Sequence, residues 1–168
     1  MSLREMLEEC GAIQYGHFVL ASGKESSYYV NVKKAVTRPW ILKEIARQMA
    51  PRVVGKIAGV ELGAVPIAVA VSLETGREYV IIRKEAKSYG TGRRIEGDIA
   101  QGEEFTIVED VVTTGGSVVK AIGALREAGA RVAKVVAVVD RQEGGREAIE
   151  AEGVEFEALI TAEELLGK

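Results

Sequence analysis

Apolar residues at Ile41, Ile45, Met49 and Val53 recur at helical spacing, and Pro39 suits the first turn of a helix, so the pattern predicts an amphipathic helix over 39–54. A first helix is predicted over 2–10, stopped by Gly11. Farther along, short apolar runs alternate with helical patterns. Strands are predicted at Lys56–Val60, Glu78–Ile82, Glu104–Val108 and Val132–Val139, and helices at Val65–Leu73 and Gly116–Ala128. Strands that are apolar throughout, alternating with helices, predict a mainly parallel sheet covered on both faces, which is an α/β doubly wound domain. Ligands of such sheets bind beyond the carboxyl ends of the strands, in loops that lead into helix N-termini. Residues 84–102 read as one long, polar, glycine-containing loop inside this fold, and loops of that length are usually functional or disordered.

Composition narrows the picture. The 168 residues suit one compact domain spanning 1–168, with enough chain to bury a core without disulfides or structural metal. Apolar residues make up 47% and charged residues 28%, and no apolar run reaches the roughly 18 residues of a bilayer helix, so no membrane partner is expected. Cys10 is the single cysteine and Met1 to Glu5 lack a basic-then-apolar signal pattern, so a reducing cytoplasm is the expected location. The net charge of −3 gives no bulk attraction to nucleic acid, and any polyanionic ligand must be met by locally clustered cations. His17 has no matching His or Cys partners and reads as a polar surface residue.

The chemistry concentrates in Phe105-Thr106-Ile107-Val108-Glu109-Asp110-Val111-Val112-Thr113-Thr114-Gly115-Gly116-Ser117, a buried strand that runs into two acids and then a small-residue turn opening a helix. Thr113, Thr114 and Ser117 offer hydroxyl donors. Gly115 and Gly116 let backbone N–H groups come close to an anion at the positive end of the helix dipole. The G-x-x-x-x-G-K-[ST] pattern is absent, so this phosphate cradle is not of the triphosphate-hydrolysing kind. Carboxylates aimed into the cradle would repel phosphate, so Glu109 and Asp110 are expected to face sugar hydroxyls or a divalent cation, and a ribose phosphate meets both demands. The plainer alternative is a corner in which Asp110 and Thr113 only cap the helix.

Four apolar residues, two acids and T-T-G-G-S resemble the phosphoribosyl-diphosphate (PRPP) signature of type I phosphoribosyltransferases. Arg83-Lys84-Glu85-Ala86-Lys87-Ser88-Tyr89-Gly90 resembles the R-K-x-x-K-x-H-G mobile loop of the orotate phosphoribosyltransferases, with Arg83, Lys84 and Lys87 matching and Tyr89 in place of the usual His. Ser22-Gly23-Lys24-Glu25-Ser26-Ser27-Tyr28-Tyr29 resembles the N-terminal hood segment that covers the base in that family, although the residues alone also suit an ordinary hairpin with two core tyrosines. Ala21 stands where some members carry Lys. Asp140-Arg141-Gln142-Glu143 resembles the D-R-x-E whose Arg binds the orotate carboxylate, and Gly59 to Pro66 resembles the short diphosphate loop after the first core strand.

The resemblance implies a single phosphoribosyltransferase domain with a small hood and a mobile loop, transferring ribose 5-phosphate from PRPP to orotate. It implies PRPP binding by Arg83, Lys84, Lys87, Tyr89, Glu109, Asp110, Val111, Val112, Thr113, Thr114, Gly115, Gly116 and Ser117, with Lys84, Lys87 and Asp110 carrying catalysis. It implies orotate binding by Thr113, Arg141, Tyr28 and Tyr29. Magnesium is the implied cofactor, carried by PRPP with Asp110 as the candidate protein contact, and the implied assembly is a homodimer with shared active sites. Two alternatives stay open: transfer to another base, and a PRPP-sensing regulator on the same fold without turnover.

Overall fold

The computed structural model describes residues 1–85 and 94–167. Lys87 and Tyr89 lie outside the described residues. The chain opens with helix α1 (Leu3–Glu9), whose N-cap Ser2 and N3 residue Glu5 form a reciprocal capping box. A hairpin follows, β1 (Ile13–Val19) and β2 (Glu25–Val30), and forms its own two-stranded antiparallel sheet. This is the hood. Of the adjacent tyrosines in β2 only one is a core residue: Tyr28 is 5% exposed and Tyr29 40%, because neighbouring strand residues point to opposite faces.

Next come α2 (Val32–Val36) and α3 (Pro39–Met49). Ile41, Ile45 and Met49 form the buried face of α3 as the spacing predicts, but the helix ends at Met49 instead of running to residue 54. Pro51 is the reason. It has no N–H to donate to the Arg47 carbonyl, so the chain tightens into a 3-10 turn over Ala50–Arg52, and Val53 reaches the core from an extended backbone.

The main sheet is built from β3 (Lys56–Val60), β4 (Tyr79–Ile82), β5 (Ile95–Glu96), β6 (Glu104–Val112), β7 (Arg131–Asp140) and β8 (Glu155–Thr161), ordered β5-β4-β3-β6-β7-β8. All neighbouring pairs are parallel except β4 with β5. Helix α4 (Ala64–Thr75) leads from β3 to β4 and ends at Gly76 in the left-handed conformation, while α5 (Gly116–Glu127) leads from β6 to β7. Helices α6 (Gly145–Glu150) and α7 (Ala162–Leu166) flank β8. One apolar cluster joins α1 to α4 and α7 to one face of the sheet, and a second joins α5 and α6 to the other. The mainly parallel, doubly wound α/β architecture expected from the strand composition is the observed one. Thr106 is fully buried in it, with its hydroxyl donating to the Val54 carbonyl at 2.7 Å and accepting from the Val54 N–H at 2.8 Å.

Chain direction reverses between β3 and β6. From β3 the chain moves outward to β4, and from β6 it moves the other way to β7 and β8, so the crevice beyond the carboxyl ends of β3 and β6 is the place where this topology opens a binding site.

Candidate active site

Strand β6 continues four residues beyond the predicted end, so Glu109 and Asp110 lie on the strand itself. The two acids therefore sit in different surroundings. Asp110 lines a cleft with Lys33, Glu61, Gly63 and Lys84, its side chain 16% exposed and its Oδ2 3.9 Å from Lys33 Nζ. Glu109 is 7% exposed and its Oε1 accepts the Asp110 N–H at 3.1 Å. Burial pushes the Glu109 carboxyl well above the usual range, the Asp110 charge adds to the rise, and Lys84 opposes it.

Beyond the acids, Val111 to Val118 surround a small hollow that also touches Glu109. Gly115 is the N-cap of α5, with φ +87 and no side-chain cap, and the Val119 N–H closes the first helical turn onto its carbonyl at 2.9 Å. Asp110 and Thr113 do not cap this helix. Its first N–H groups face the hollow without a capping side chain, which is the arrangement that receives an anion. Val112 is 1% exposed, so its side chain is closed to a ligand. The two hollows share Glu109, Val111 and Ser117, and a molecule with a phosphate at one end and hydroxyls at the other can span them.

Glycines make the close approaches. A Cβ at Gly63 would overlap Asp110 Oδ2 and lie 2.8 Å from its Cγ. A Cβ at Gly145 would overlap Val112 Cγ1 and lie 3.0 Å from the Thr113 carbonyl oxygen, so α6 is seated directly against the turn that opens α5.

Arg83 and Lys84 enter from the end of β4. The Lys84 N–H donates to Glu61 Oε1 at 2.7 Å, and its side chain lines the cleft. Arg83 has a protein counter-ion, Glu96 at 3.6 Å. The Arg83 N–H donates to the Arg94 carbonyl at 2.6 Å, and the Arg94 guanidinium donates to the carbonyls of Arg83 and Lys84, which closes a stem around the intervening segment.

Arg141 follows β7. Its N–H donates to the Val112 carbonyl at 2.9 Å, placing it beside the turn of Thr113 to Ser117. Its side chain is 9% exposed, stacks on the Tyr28 ring at 4.3 Å, donates from Nε to Glu143 Oε2 at 2.9 Å and from Nη2 to Ser26 Oγ at 3.3 Å. Ser26 and Tyr28 belong to the hood, so the hairpin and the end of β7 meet at this guanidinium.

Lys33, Glu61 and Gly145 escaped the site prediction. Glu61 falls in the segment resembling the diphosphate loop, and Gly144-Gly145 directly after Asp140 to Glu143 is a visible mark of close backbone approach. Lys33 carries no local sign, because its place opposite Asp110 is set by packing of α2 on the sheet.

The phosphoribosyl transferase domain family matches residues 31–157, which include both hollows and Arg141. Orotate phosphoribosyltransferase of Pyrococcus furiosus is 51% identical over 164 residues, covering 94% of this chain and 89% of that protein. The chain belongs to the orotate phosphoribosyltransferase family. Among solved members of the family, the Aeropyrum pernix orotate phosphoribosyltransferase superposes with a TM-score of 0.85 at 31% identity, covering 99% of this chain and 98% of that one. The Mycobacterium tuberculosis H37Rv orotate phosphoribosyltransferase solved in complex with PRPP superposes with a TM-score of 0.74 at 30% identity, covering 95% of each chain. No helix among the described residues is long and apolar enough to cross a membrane.

Proposed function

We propose that orotate phosphoribosyl transfer by this chain takes place in the crevice beyond β3 and β6. The reaction joins orotate to PRPP and yields orotidine 5′-monophosphate and diphosphate, a step of pyrimidine nucleotide synthesis. The observation that carries the placement is the junction of an uncapped helix N-terminus with a cleft holding Asp110, Lys33 and Lys84.

In this reading the backbone N–H groups and hydroxyls of Thr113 to Ser117 receive the 5′-phosphate. Asp110 accepts from one ribose hydroxyl, and Glu109, its carboxyl pushed up by burial, faces another. Departure of diphosphate leaves positive charge on the ribose, so catalysis requires stabilisation of the leaving group and placement of the base nitrogen, with no covalent nucleophile. Lys84 and Lys87 neutralise the diphosphate. At an effective dielectric near 20, one cation about 4 Å from a phosphate charge gives roughly 4 kcal/mol before desolvation, and about a third of that is a tenfold rate effect. Arg141 grips the orotate carboxylate, with Thr113, Tyr28 and Tyr29 around the base.

Magnesium fits this site as a passenger on PRPP. Among the described residues no three His, Cys, Asp or Glu side chains cluster as a metal set, and magnesium commonly binds through one carboxylate and substrate phosphates. Asp110 is the residue that would touch it. When bound, the ion supplies charge neutralisation across the diphosphate.

The homodimer belongs to the same proposal. A homodimer with shared active sites is what the resemblance of Arg83 to Gly90 to the family's loop implies. A cytoplasmic location accords with the lone cysteine.

Purified protein given PRPP, magnesium and either orotate or uracil tests the reading through loss of the base's ultraviolet absorbance. Turnover of orotate with little turnover of uracil is expected. Equal use of the two bases would refute the role of Arg141, and no turnover of either would refute the placement.

A further inference from the structure

The Arg141 guanidinium has five N–H donors and is held on three sides. The Nε–H goes to Glu143 Oε2 at 2.9 Å, one Nη2 hydrogen goes to Ser26 Oγ at 3.3 Å, and the Tyr28 ring covers one face at 4.3 Å. Nη1 forms no hydrogen bond among the described residues, so the terminal fork of the guanidinium remains open. Ser26 is itself braced: its hydroxyl donates to the Tyr28 carbonyl at 2.7 Å and accepts the Tyr28 N–H at 3.3 Å. The other Glu143 oxygen, Oε1, lies 3.9 Å from Lys24 Nζ, near the tip of the hood. A closed ring of contacts therefore runs from the hood to Glu143, through Arg141, and back to the hood.

Glu143 is the acidic member of that ring and the one that fixes which edge of the guanidinium faces outward. An Arg141 released from it keeps the Ser26 hydroxyl and the face of the Tyr28 ring as its side-chain contacts among the described residues, and neither fixes its edge. A guanidinium free to turn over the Tyr28 ring would lose the two parallel hydrogen bonds that a planar carboxylate makes with the terminal fork.

We propose that Glu143 is a positioning residue that holds the terminal fork of Arg141 toward the carboxylate of the incoming base, and so sets the preference for orotate over bases that lack a carboxylate. This rests on the reading of Arg141 as the orotate contact. Glu143 touches neither PRPP nor the reacting atoms, and its loss acts on one substrate only. Glu143→Gln keeps an acceptor oxygen near Nε and removes the charge, whereas Glu143→Ala removes both, so the two variants form a graded pair.

The test compares wild type, Glu143→Gln, Glu143→Ala and Arg141→Ala by steady-state kinetics in both substrates, with thermal melts of each protein. The Glu143→Ala substitution is expected to raise KM for orotate roughly tenfold, the equivalent of about 1.4 kcal/mol, with Glu143→Gln between it and wild type. The kcat and the KM for PRPP should stay within about twofold, and the orotate-to-uracil preference should narrow by the same factor as KM rises. If Arg141→Ala raises the orotate KM and neither Glu143 variant does, positioning by Glu143 is wrong while the Arg141 contact stands. If Arg141→Ala leaves the orotate KM unchanged, the Arg141 reading fails and the positioning role fails with it. A Glu143 variant that lowers kcat, raises both KM values or melts far below wild type marks a structural residue and overturns the proposal.

Discussion

Replacing Gly63 by Ala adds one methyl group at the point where α4 begins, and the structure directs its effect onto a single carboxylate. The new Cβ would overlap Asp110 Oδ2 and lie 2.8 Å from Asp110 Cγ, so the carboxylate must withdraw by roughly 1 Å. Gly63 has φ −63, which any residue adopts, so no backbone strain accompanies the change. Its other tight neighbour, Lys33 Cγ at 3.2 Å, belongs to a flexible side chain that can yield. The fold should therefore tolerate the substitution: loss of a glycine N-cap and loss of unfolded-chain entropy oppose each other at about 1 kcal/mol or less, which is within about 4 °C in Tm for a chain of this size. Activity should not tolerate it. A carboxylate displaced by about 1 Å from the ribose it must meet can cost about a hundredfold in rate. Steady-state kinetics with PRPP as the varied substrate, beside a thermal melt, reads both quantities. A protein that melts like wild type and keeps its full kcat/KM for PRPP would show that Asp110 is not in contact with the substrate.

Gly116→Ala probes the phosphate turn in the same manner: its Cβ would meet nothing within 4 Å in the protein, so stability should hold while PRPP affinity falls in calorimetric titration, and unchanged affinity would remove the phosphate from that position. Glu109→Gln should raise Tm at neutral pH in the ligand-free protein. Because burial holds the folded-state pKa above the unfolded one, the wild type loses stability as pH rises above the ordinary carboxylate range, at up to about 1.4 kcal/mol per pH unit until the folded pKa is passed. The two proteins should converge in acid, and a constant difference at all pH values would contradict the assignment. Co-expressed Lys87→Ala and Asp110→Asn chains should form heterodimers in which one site unites an intact loop with an intact cradle, recovering about half of the wild-type specific activity; a monomer by light scattering, or heterodimers no more active than either mutant homodimer, would exclude shared sites.

The parallel sheet was legible because β3, β6 and β7 are buried on both faces and so carry unbroken apolar stretches, such as Ile107–Val108 in β6 and Val135–Val139 in β7. Strand β8 escaped notice for the opposite reason. It pairs with β7 alone at the sheet edge, and Glu155 and Glu157 interrupt its apolar run, Glu157 reaching Lys134 at 3.0 Å and Arg52 at 3.3 Å. Helix α3 stops short of residue 54 because Pro51 sets its boundary, although the apolar periodicity continues to Val53. At the site, the local segment from Phe105 to Ser117 reads correctly as strand, acids and turn, since its neighbours in sequence are its neighbours in space. The pairing of Lys33 with Asp110 and of Ser26 with Arg141 joins residues far apart in the chain, and no spacing rule reaches such contacts.

A crystal structure of the protein grown with PRPP and magnesium tests the central claim most directly. The account predicts the 5′-phosphate in the hollow of Thr113 to Ser117, receiving hydrogen bonds from the first N–H groups of α5, with the ribose hydroxyls at Asp110 and Glu109. A phosphate bound elsewhere, with that helix N-terminus facing only water, would contradict it.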